Sequence, residues 1–165
     1  MVNKATFTSD EWKQVVGGVF MAGFAITAAD PSGLWGLLKE TFASGRALLE
    51  AKSSTTANEL IKAIVSDFES AEGRTAGRDY VKTRMEGAKS EEIKARAIEA
   101  VRQAAAVVEA KAPTDAAAYK EWLLHISRHV AEASREGGFL GFGGVTVSEA
   151  EKATLSEVQA ALGAR

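Results

Sequence analysis

A largely apolar stretch near the start of the chain, residues 15–29 (VVGGVFMAGFAITAA), limits the folds open to this sequence most strongly. It is too short to span a membrane as a helix, which takes about 20 apolar residues. The acidic residues Asp10 and Glu11 ahead of it differ from the basic n-region of a signal peptide. We therefore interpret the stretch as a buried core helix. A signal-peptide core, preceded by Lys4 and Lys13, is the alternative interpretation.

Signals for the start of this helix stand directly before the apolar stretch. Thr8 and Glu11 have the three-residue spacing of a capping box, in which each side chain satisfies a backbone N–H of the other residue. Phe7 and Trp12 have the spacing of a hydrophobic staple. The helix is predicted to end near residue 29, because Pro31 disfavours the helical conformation in the residue before it.

Small side chains line one side of the first helix. Gly18, Ala22, Ala25 and Ala29 recur at three- and four-residue spacing, which places them on one face. A glycine inside a helix costs about 1 kcal/mol relative to alanine, so close packing of a neighbouring helix is a physical reason for having it there. Because the helix is apolar nearly all round, we expect it to be central and buried.

Six further helices are predicted from apolar periodicity, capping residues and glycine stops. They cover residues 33–52, 56–71, 75–86, 90–111, 115–135 and 148–162. Capping boxes are expected at Thr56 with Glu59 and at Ser148 with Glu151, and Gly73 is the predicted end of the helix that starts at residue 56. The chain of 165 residues, with two prolines and no β-branched runs, is predicted to be one all-α domain (1–165). Its architecture is expected to be a bundle of about seven helices around the first.

The apolar faces of these helices define a predicted core. The helix over residues 75–86 has few apolar residues and is expected to lie at the surface. The inward-facing positions of the other helices are Leu34, Leu37, Leu38, Thr41, Phe42, Leu48, Leu49, Leu60, Ile61, Ile64, Val65, Phe68, Ile93, Ala97, Val101, Ala104, Val108, Tyr119, Trp122, Leu123, Ile126, Val130 and Ala133.

Composition excludes several functional classes. The chain has 20 basic and 22 acidic residues, mixed along its length, with a formal net charge of -2. That balance provides no basic stripe for a phosphate backbone, so a nucleic-acid partner is not expected. The absence of cysteine excludes a disulfide framework and a thiolate nucleophile, and it fits the reducing cytoplasm, which is the predicted location. No known catalytic motif occurs, so no catalytic residue is predicted and an enzyme is not favoured.

The two histidines of the chain form a candidate metal site. Glu121, His125 and His129 follow each other at four-residue spacing on one helix face, and two histidines so placed can share a divalent metal ion. Ile126 stands where a zinc peptidase would need a glutamate, and no second helix carries a Glu-x-x-His pair for a di-iron site. The alternative is a solvated, charged flank. No cofactor other than such a metal ion is expected.

A glycine-rich segment, residues 137–145 (GGFLGFGGV), is a candidate partner-binding loop. Five glycines in it alternate with Phe139, Leu140 and Phe142. One interpretation is a loop that folds back into the bundle, where each buried side chain would contribute roughly 1.5–3 kcal/mol. The other is an apolar plug that inserts into a protein partner or a membrane surface.

Residues 118–163 (AYKEWLLHISRHVAEASREGGFLGFGGVTVSEAEKATLSEVQAALG) and 29–40 (ADPSGLWGLLKE) resemble an uncharacterised bacterial family of small all-α proteins. This resemblance implies an all-α fold and no particular activity. Residues 145–163 are also similar to the last helix of tellurite-resistance TerB-like domains, which are all-α. In those domains an Asp-Gly step before the capping Ser and Glu is associated with divalent-metal binding. Here Ser148 and Glu151 match, while Gly143 and Gly144 stand at that step without an aspartate.

Three functions follow as hypotheses from these features. The leading one is a non-catalytic protein-interaction or scaffold module of the cytoplasm, whose partner is another protein or a second copy of the chain. Its basis is the missing catalytic set, the glycine-aromatic loop and the small-residue face. The second is a metal-binding protein, in stress response or catalysis, that uses the His-x3-His face. The third is a peripheral membrane protein that uses the Gly/Phe loop.

Overall fold

The computed structural model describes residues 2–29, 58–136 and 147–163, and side chains only up to residue 132 in the second range. Six α-helices lie in these ranges: α1 Ser9–Ala29, α2 Glu59–Glu69, α3 Ala71–Met85, α4 Ser90–Lys111, α5 Pro113–Glu136 and α6 Glu149–Ala161. A short 3-10 turn, Lys4–Thr6, precedes α1. The described ranges contain no strand, and the all-α fold class is confirmed. The helix predicted over residues 33–52 lies outside the described residues.

The predicted start of α1 is confirmed in detail. The backbone N–H of Thr8 donates to Glu11 Oε2 at 2.8 Å, and the backbone N–H of Glu11 donates to Thr8 Oγ1 at 3.2 Å. Phe7 and Trp12 are both buried, with ring centroids 5.6 Å apart, as a hydrophobic staple requires. These contacts fix where the helix begins and the direction in which the chain enters it.

Asp67, near the end of α2, ties the N-terminal segment to the bundle. Its Oδ2 accepts a hydrogen bond from Trp12 Nε1 at 3.0 Å, and its Oδ1 accepts one from Lys4 Nζ at the same distance. The start of α1 is therefore anchored to a helix that lies about fifty residues further along the chain.

The first helix is the centre of the described fold. It contacts α3, α4, α5 and α6, and its contact with α4 is the most extensive. The apolar stretch alone was predicted to be too short to cross a membrane, but α1 extends it to 21 residues and is, by length and composition, the one helix in the described ranges that could cross one. In the fold, 67% of its most apolar window is buried. This burial is the arrangement of a core helix, as predicted from the apolar stretch.

The small-residue face of α1 allows the close approach that its spacing predicts. A Cβ on Gly18 would lie 2.5 Å from the Cβ of Ala104 in α4 and 2.8 Å from the hydroxyl of Tyr119 in α5. Ala22 and Ala25 are also fully buried. Helices of the same chain therefore occupy this face, and it is not a free surface for a partner.

Two predicted details at α2 and α3 are wrong. The N-cap of α2 is Asn58, whose side chain accepts from the backbone N–H of Ile61 at 3.0 Å, whereas Thr56 was the predicted cap. Gly73 does not end α2 but lies in the first turn of α3, where its N–H donates to the capping Ser70 Oγ at 2.9 Å. A Cβ on Gly73 would meet the carbonyl oxygen of Asp67 at 2.0 Å, so glycine is needed for the tight turn between the helices.

The ends of the later helices agree with their sequence signals. α4 begins at Ser90 and ends at Lys111, as predicted. Pro113 is the first residue of α5, a position where its missing N–H costs nothing. Ser148 and Glu151 form the predicted capping box of α6. Gly163, with φ +62°, follows the last turn of α6, as glycine commonly does after a helix.

The predicted core positions that the structure describes are buried, with one exception. Ile93 is only half-buried, and α3 presents Tyr80, Val81 and Met85 as half-buried residues at the surface. The confirmed core positions of α2, α4 and α5 are Leu60, Ile61, Ile64, Val65, Phe68, Ala97, Val101, Ala104, Val108, Tyr119, Trp122, Leu123, Ile126 and Val130.

Candidate functional site

Two buried hydroxyl groups of α5 hold that helix against α1. The Tyr119 hydroxyl donates to the carbonyl oxygen of Val15 at 2.6 Å, and burial raises the pKa of this tyrosine well above its usual value. Ser127 Oγ donates to the carbonyl oxygen of Ala22 at 2.9 Å. Both groups are therefore engaged in packing between helices, and neither is directed at an open cavity.

Tyr80 of α3 fills the space left by Gly17 of α1. A Cβ on Gly17 would lie 2.2 Å from Tyr80 Cδ1, and a Cβ on Gly77 would lie 2.0 Å from Phe20 Cε2. These two aromatic-glycine contacts set the distance between α1 and α3. Within the described part of the chain the Tyr80 hydroxyl is buried and makes no hydrogen bond of ordinary geometry, while the Arg84 guanidinium lies 5.3 Å from the ring centroid. Burial raises the pKa of Tyr80, and Arg84 opposes that rise through its positive charge and its nearby N–H donors.

A groove of about 710 Å³ runs along the outer side of α3 beside the first turns of α1. Its apolar lining consists of Ala71, Ala76 and the ring of Tyr80. A smaller cleft of about 220 Å³ at the start of α1 shares Ala76 and two charged residues with it. We call the larger space the α1–α3 groove; its polar lining residues are Lys13, Glu72, Thr75, Asp79 and Thr83.

The charges around the α1–α3 groove are unbalanced. Lys13 is paired with Asp10 of its own helix, with Nζ and Oδ1 3.2 Å apart. Glu72 and Asp79 are exposed, and neither forms an ion pair within the part of the chain that the structure describes. The groove therefore combines an apolar lining with two carboxylates that form no ion pair there, on a helix that also carries Arg74, Arg78, Lys82 and Arg84.

The predicted metal-site residues lie on the outer face of α5. His125 and Glu121 are exposed and His129 is half-buried. The two imidazole rings are nearly parallel, at 18°, with their centroids 6.4 Å apart. The four-residue spacing thus places both histidines on one face, as predicted.

No group of three or more His, Asp or Glu side chains in the described ranges is close enough together to hold a metal ion. Glu121 therefore does not join the histidines in a three-ligand cluster in this structure. The other predicted site residues, Phe139, Leu140 and Phe142, lie outside the described residues.

The α1–α3 groove was not predicted from the sequence. Its main contributor, α3, has few apolar residues, and this composition indicated only a surface helix. A usable signal was present in the small residues Gly73, Ala76 and Gly77 ahead of Tyr80. Without knowing which helix packs against α3, however, this pattern does not distinguish a helix contact from a groove.

No family model, curated protein or solved structure matches this chain. The resemblances to the bacterial all-α family and to TerB-like domains therefore stay predictions. The geometry of the described residues is the remaining basis for a functional proposal.

Proposed function

We propose that this chain is a non-catalytic protein-interaction module of the cytoplasm, and that its α1–α3 groove binds a protein segment with apolar and basic side chains. The observation that carries this proposal is the apolar groove beside two unpaired carboxylates, Glu72 and Asp79. An apolar groove of several hundred cubic ångströms suits the insertion of a few side chains.

The apolar part of the groove provides the driving force for binding. Ala71, Ala76 and Tyr80 would lose contact with water when leucine-sized side chains enter, at roughly 25 cal/mol for each square ångström buried. A helical segment that places apolar residues along one face could lie along this side of α3.

The carboxylates determine which segment is preferred. Glu72 and Asp79 stand seven residues apart on α3, which is about two helical turns, so both border the groove along its length. Basic side chains on the incoming segment would complement these two carboxylates at short range. The partner is thus expected to be amphipathic and basic.

The buried polar groups support a binding role over a catalytic one. The hydroxyls of Tyr119, Ser127 and Thr154 all donate to backbone carbonyls of the bundle. Glu151, which is buried, acts in the capping box of α6. A cytoplasmic location is proposed because the chain lacks cysteine and buries its most apolar helix.

Peptide binding measured by fluorescence anisotropy tests the proposal. The probe is a labelled amphipathic peptide, about four helical turns long, with leucine on one face and lysine on the other. We expect it to bind wild type, and we expect Ala76→Arg, which puts a long cationic side chain into the groove, to weaken binding by roughly tenfold or more. Glu72→Gln with Asp79→Asn should weaken binding and reduce its salt dependence.

Matched controls separate the groove from other surfaces. Ala106→Arg makes the same substitution at an exposed position of α4 and should leave peptide affinity unchanged. A peptide with glutamate in place of lysine should bind more weakly. Equal binding by Ala76→Arg and wild type, or equal binding of both peptides, contradicts the proposal. If only the Phe139→Ser/Phe142→Ser variant loses peptide binding, the partner site is the glycine-rich loop and not the groove. If light scattering gives the mass of two chains, the partner of the groove is a second copy of the chain.

A further inference from the structure

The only two histidines of the chain lie one helical turn apart on the outer face of α5. Their rings are nearly parallel and their centroids are 6.4 Å apart. His125 is exposed, so its side-chain torsions are free to change without disturbing the core. This placement brings four ring nitrogens to one patch of the surface. Imidazole is a common ligand of transition metals in proteins.

The backbone that carries the histidines is held rigidly from the opposite face. Trp122, three residues before His125, and Ile126, directly after it, are both buried in the bundle. Ser127, between the two histidines, donates to the carbonyl oxygen of Ala22 in α1 at 2.9 Å. A metal ion would therefore need to order only the two side chains, since the helix beneath them is already in place.

The distance between the two ring centroids is close to the distance expected when two imidazoles bind the same metal ion. With a metal–nitrogen bond of about 2.1 Å and tetrahedral angles, two imidazoles on one ion have centroids roughly 5 Å apart. The observed 6.4 Å requires the rings to approach by about 1 Å and to turn their nitrogens toward each other. Rotation of the exposed His125 side chain would shorten the distance between the rings.

From this geometry we infer that His125 and His129 form a two-imidazole site for a transition-metal dication of the zinc and copper class. Among the described residues no third His, Asp or Glu is clustered with them, so water occupies the other coordination positions. Glu121 is then not a required ligand. Imidazole prefers Cu²⁺, Ni²⁺ and Zn²⁺ to Mg²⁺ and Ca²⁺, with Cu²⁺ bound most tightly. The site is independent of the α1–α3 groove, which α1 and α3 line.

Thermal unfolding with and without metal tests this site. An ion that binds only the folded helix raises the melting temperature, by about 5 °C or more for a chain of this size at a hundredfold excess over the dissociation constant. We expect such a rise with CuCl2 and with ZnCl2, and none with MgCl2. Isothermal titration should give one ion per chain.

Three variants distinguish the two-histidine site from other metal binding. His125→Ala should abolish the thermal shift and the heat of binding. His125→Ala with Arg128→His keeps two imidazoles but places them at consecutive positions, which face different directions on a helix, and it should also lose the shift. Glu121→Gln should keep it. A shift that survives His125→Ala, or no shift in wild type with either Cu²⁺ or Zn²⁺, overturns the inference.

Discussion

The two tyrosines that pack against α1 differ in the hydrogen bonding of their buried hydroxyl groups. The Tyr119 hydroxyl donates to the Val15 carbonyl, whereas the Tyr80 hydroxyl is buried without a geometric hydrogen bond to any described residue. The indole N–H of the fully buried Trp122 likewise has no acceptor in the described ranges. A hydrogen bond made in a protein interior contributes about 1 kcal/mol, and a buried donor left without an acceptor costs about 1–3 kcal/mol. At the residue scale, hydrogen bonding and not burial alone determines what each hydroxyl contributes.

Removing each hydroxyl should therefore have different effects on stability. We expect Tyr119→Phe to lower the free energy of unfolding by about 1–1.5 kcal/mol, because it deletes a buried hydrogen bond and leaves the ring in place. Tyr80→Phe should leave that free energy unchanged or raise it by up to about 1 kcal/mol, since it removes an unpaired polar atom. Urea denaturation of the two variants measures both values. Equal losses in the two variants would show that the Tyr80 hydroxyl has a hydrogen-bond partner in solution.

At the scale of helices, the sequence predicts where a helix begins or ends when the contacts that fix that end lie close together in the chain. The capping boxes at Thr8 and Ser148, the α1 core and the ends of α4 follow from residues within one or two turns of each other. The turn at Gly73 does not, because it depends on the carbonyl of Asp67.

The candidate site was less predictable than the helices for the same reason. The α1–α3 groove depends on the pairing of Gly17 with Tyr80 and of Phe20 with Gly77, residues about sixty positions apart. Apolar periodicity assigns each helix a face but does not identify the helix that meets it. The His-x3-His spacing, by contrast, lies within one helix, and it correctly predicted that His125 and His129 share a face.

The contact of α1 with α4 provides a test at the scale of helices. Gly18→Ala would place a methyl group 2.5 Å from the Cβ of Ala104, so the two helices must separate. We expect a net loss of up to about 2 kcal/mol, since overpacking costs roughly 1–3 kcal/mol and the gain in helix propensity offsets about 1 kcal/mol. Chemical denaturation measures the loss.

A compensating substitution shows whether the contact itself is responsible. Adding Ala104→Gly to Gly18→Ala restores space at the contact, so the double variant should be more stable than the sum of the single effects by about 1 kcal/mol. Ala106→Gly, at an exposed position of the same helix, has a similar propensity cost but should give no such recovery. If the stability losses simply add when Gly18→Ala is combined with Ala104→Gly, as they should with Ala106→Gly, a close contact at Gly18 is excluded.

At the scale of the whole molecule, α1 connects the described parts into one core. Helices α3, α4, α5 and α6 all contact it, although they come from separate parts of the chain. Both the α1–α3 groove and the histidine face depend on this arrangement, since α1 contributes Lys13 to the groove, packs against α3 and is bonded to α5 through Ser127. Loss of the α1 core would therefore remove the framework for both proposed sites.

Amide hydrogen exchange of the chain in water, followed by NMR, tests the central position of α1 most directly. Amides in the middle of α1, residues 15–26, should exchange only through global unfolding and belong to the slowest set, together with those of α4. Amides of the 3-10 turn Lys4–Thr6 and of the last turn of α6 should exchange much faster. Exchange of residues 15–26 at the rate of these exposed segments, or their protection only when lipid vesicles are added, would contradict the account.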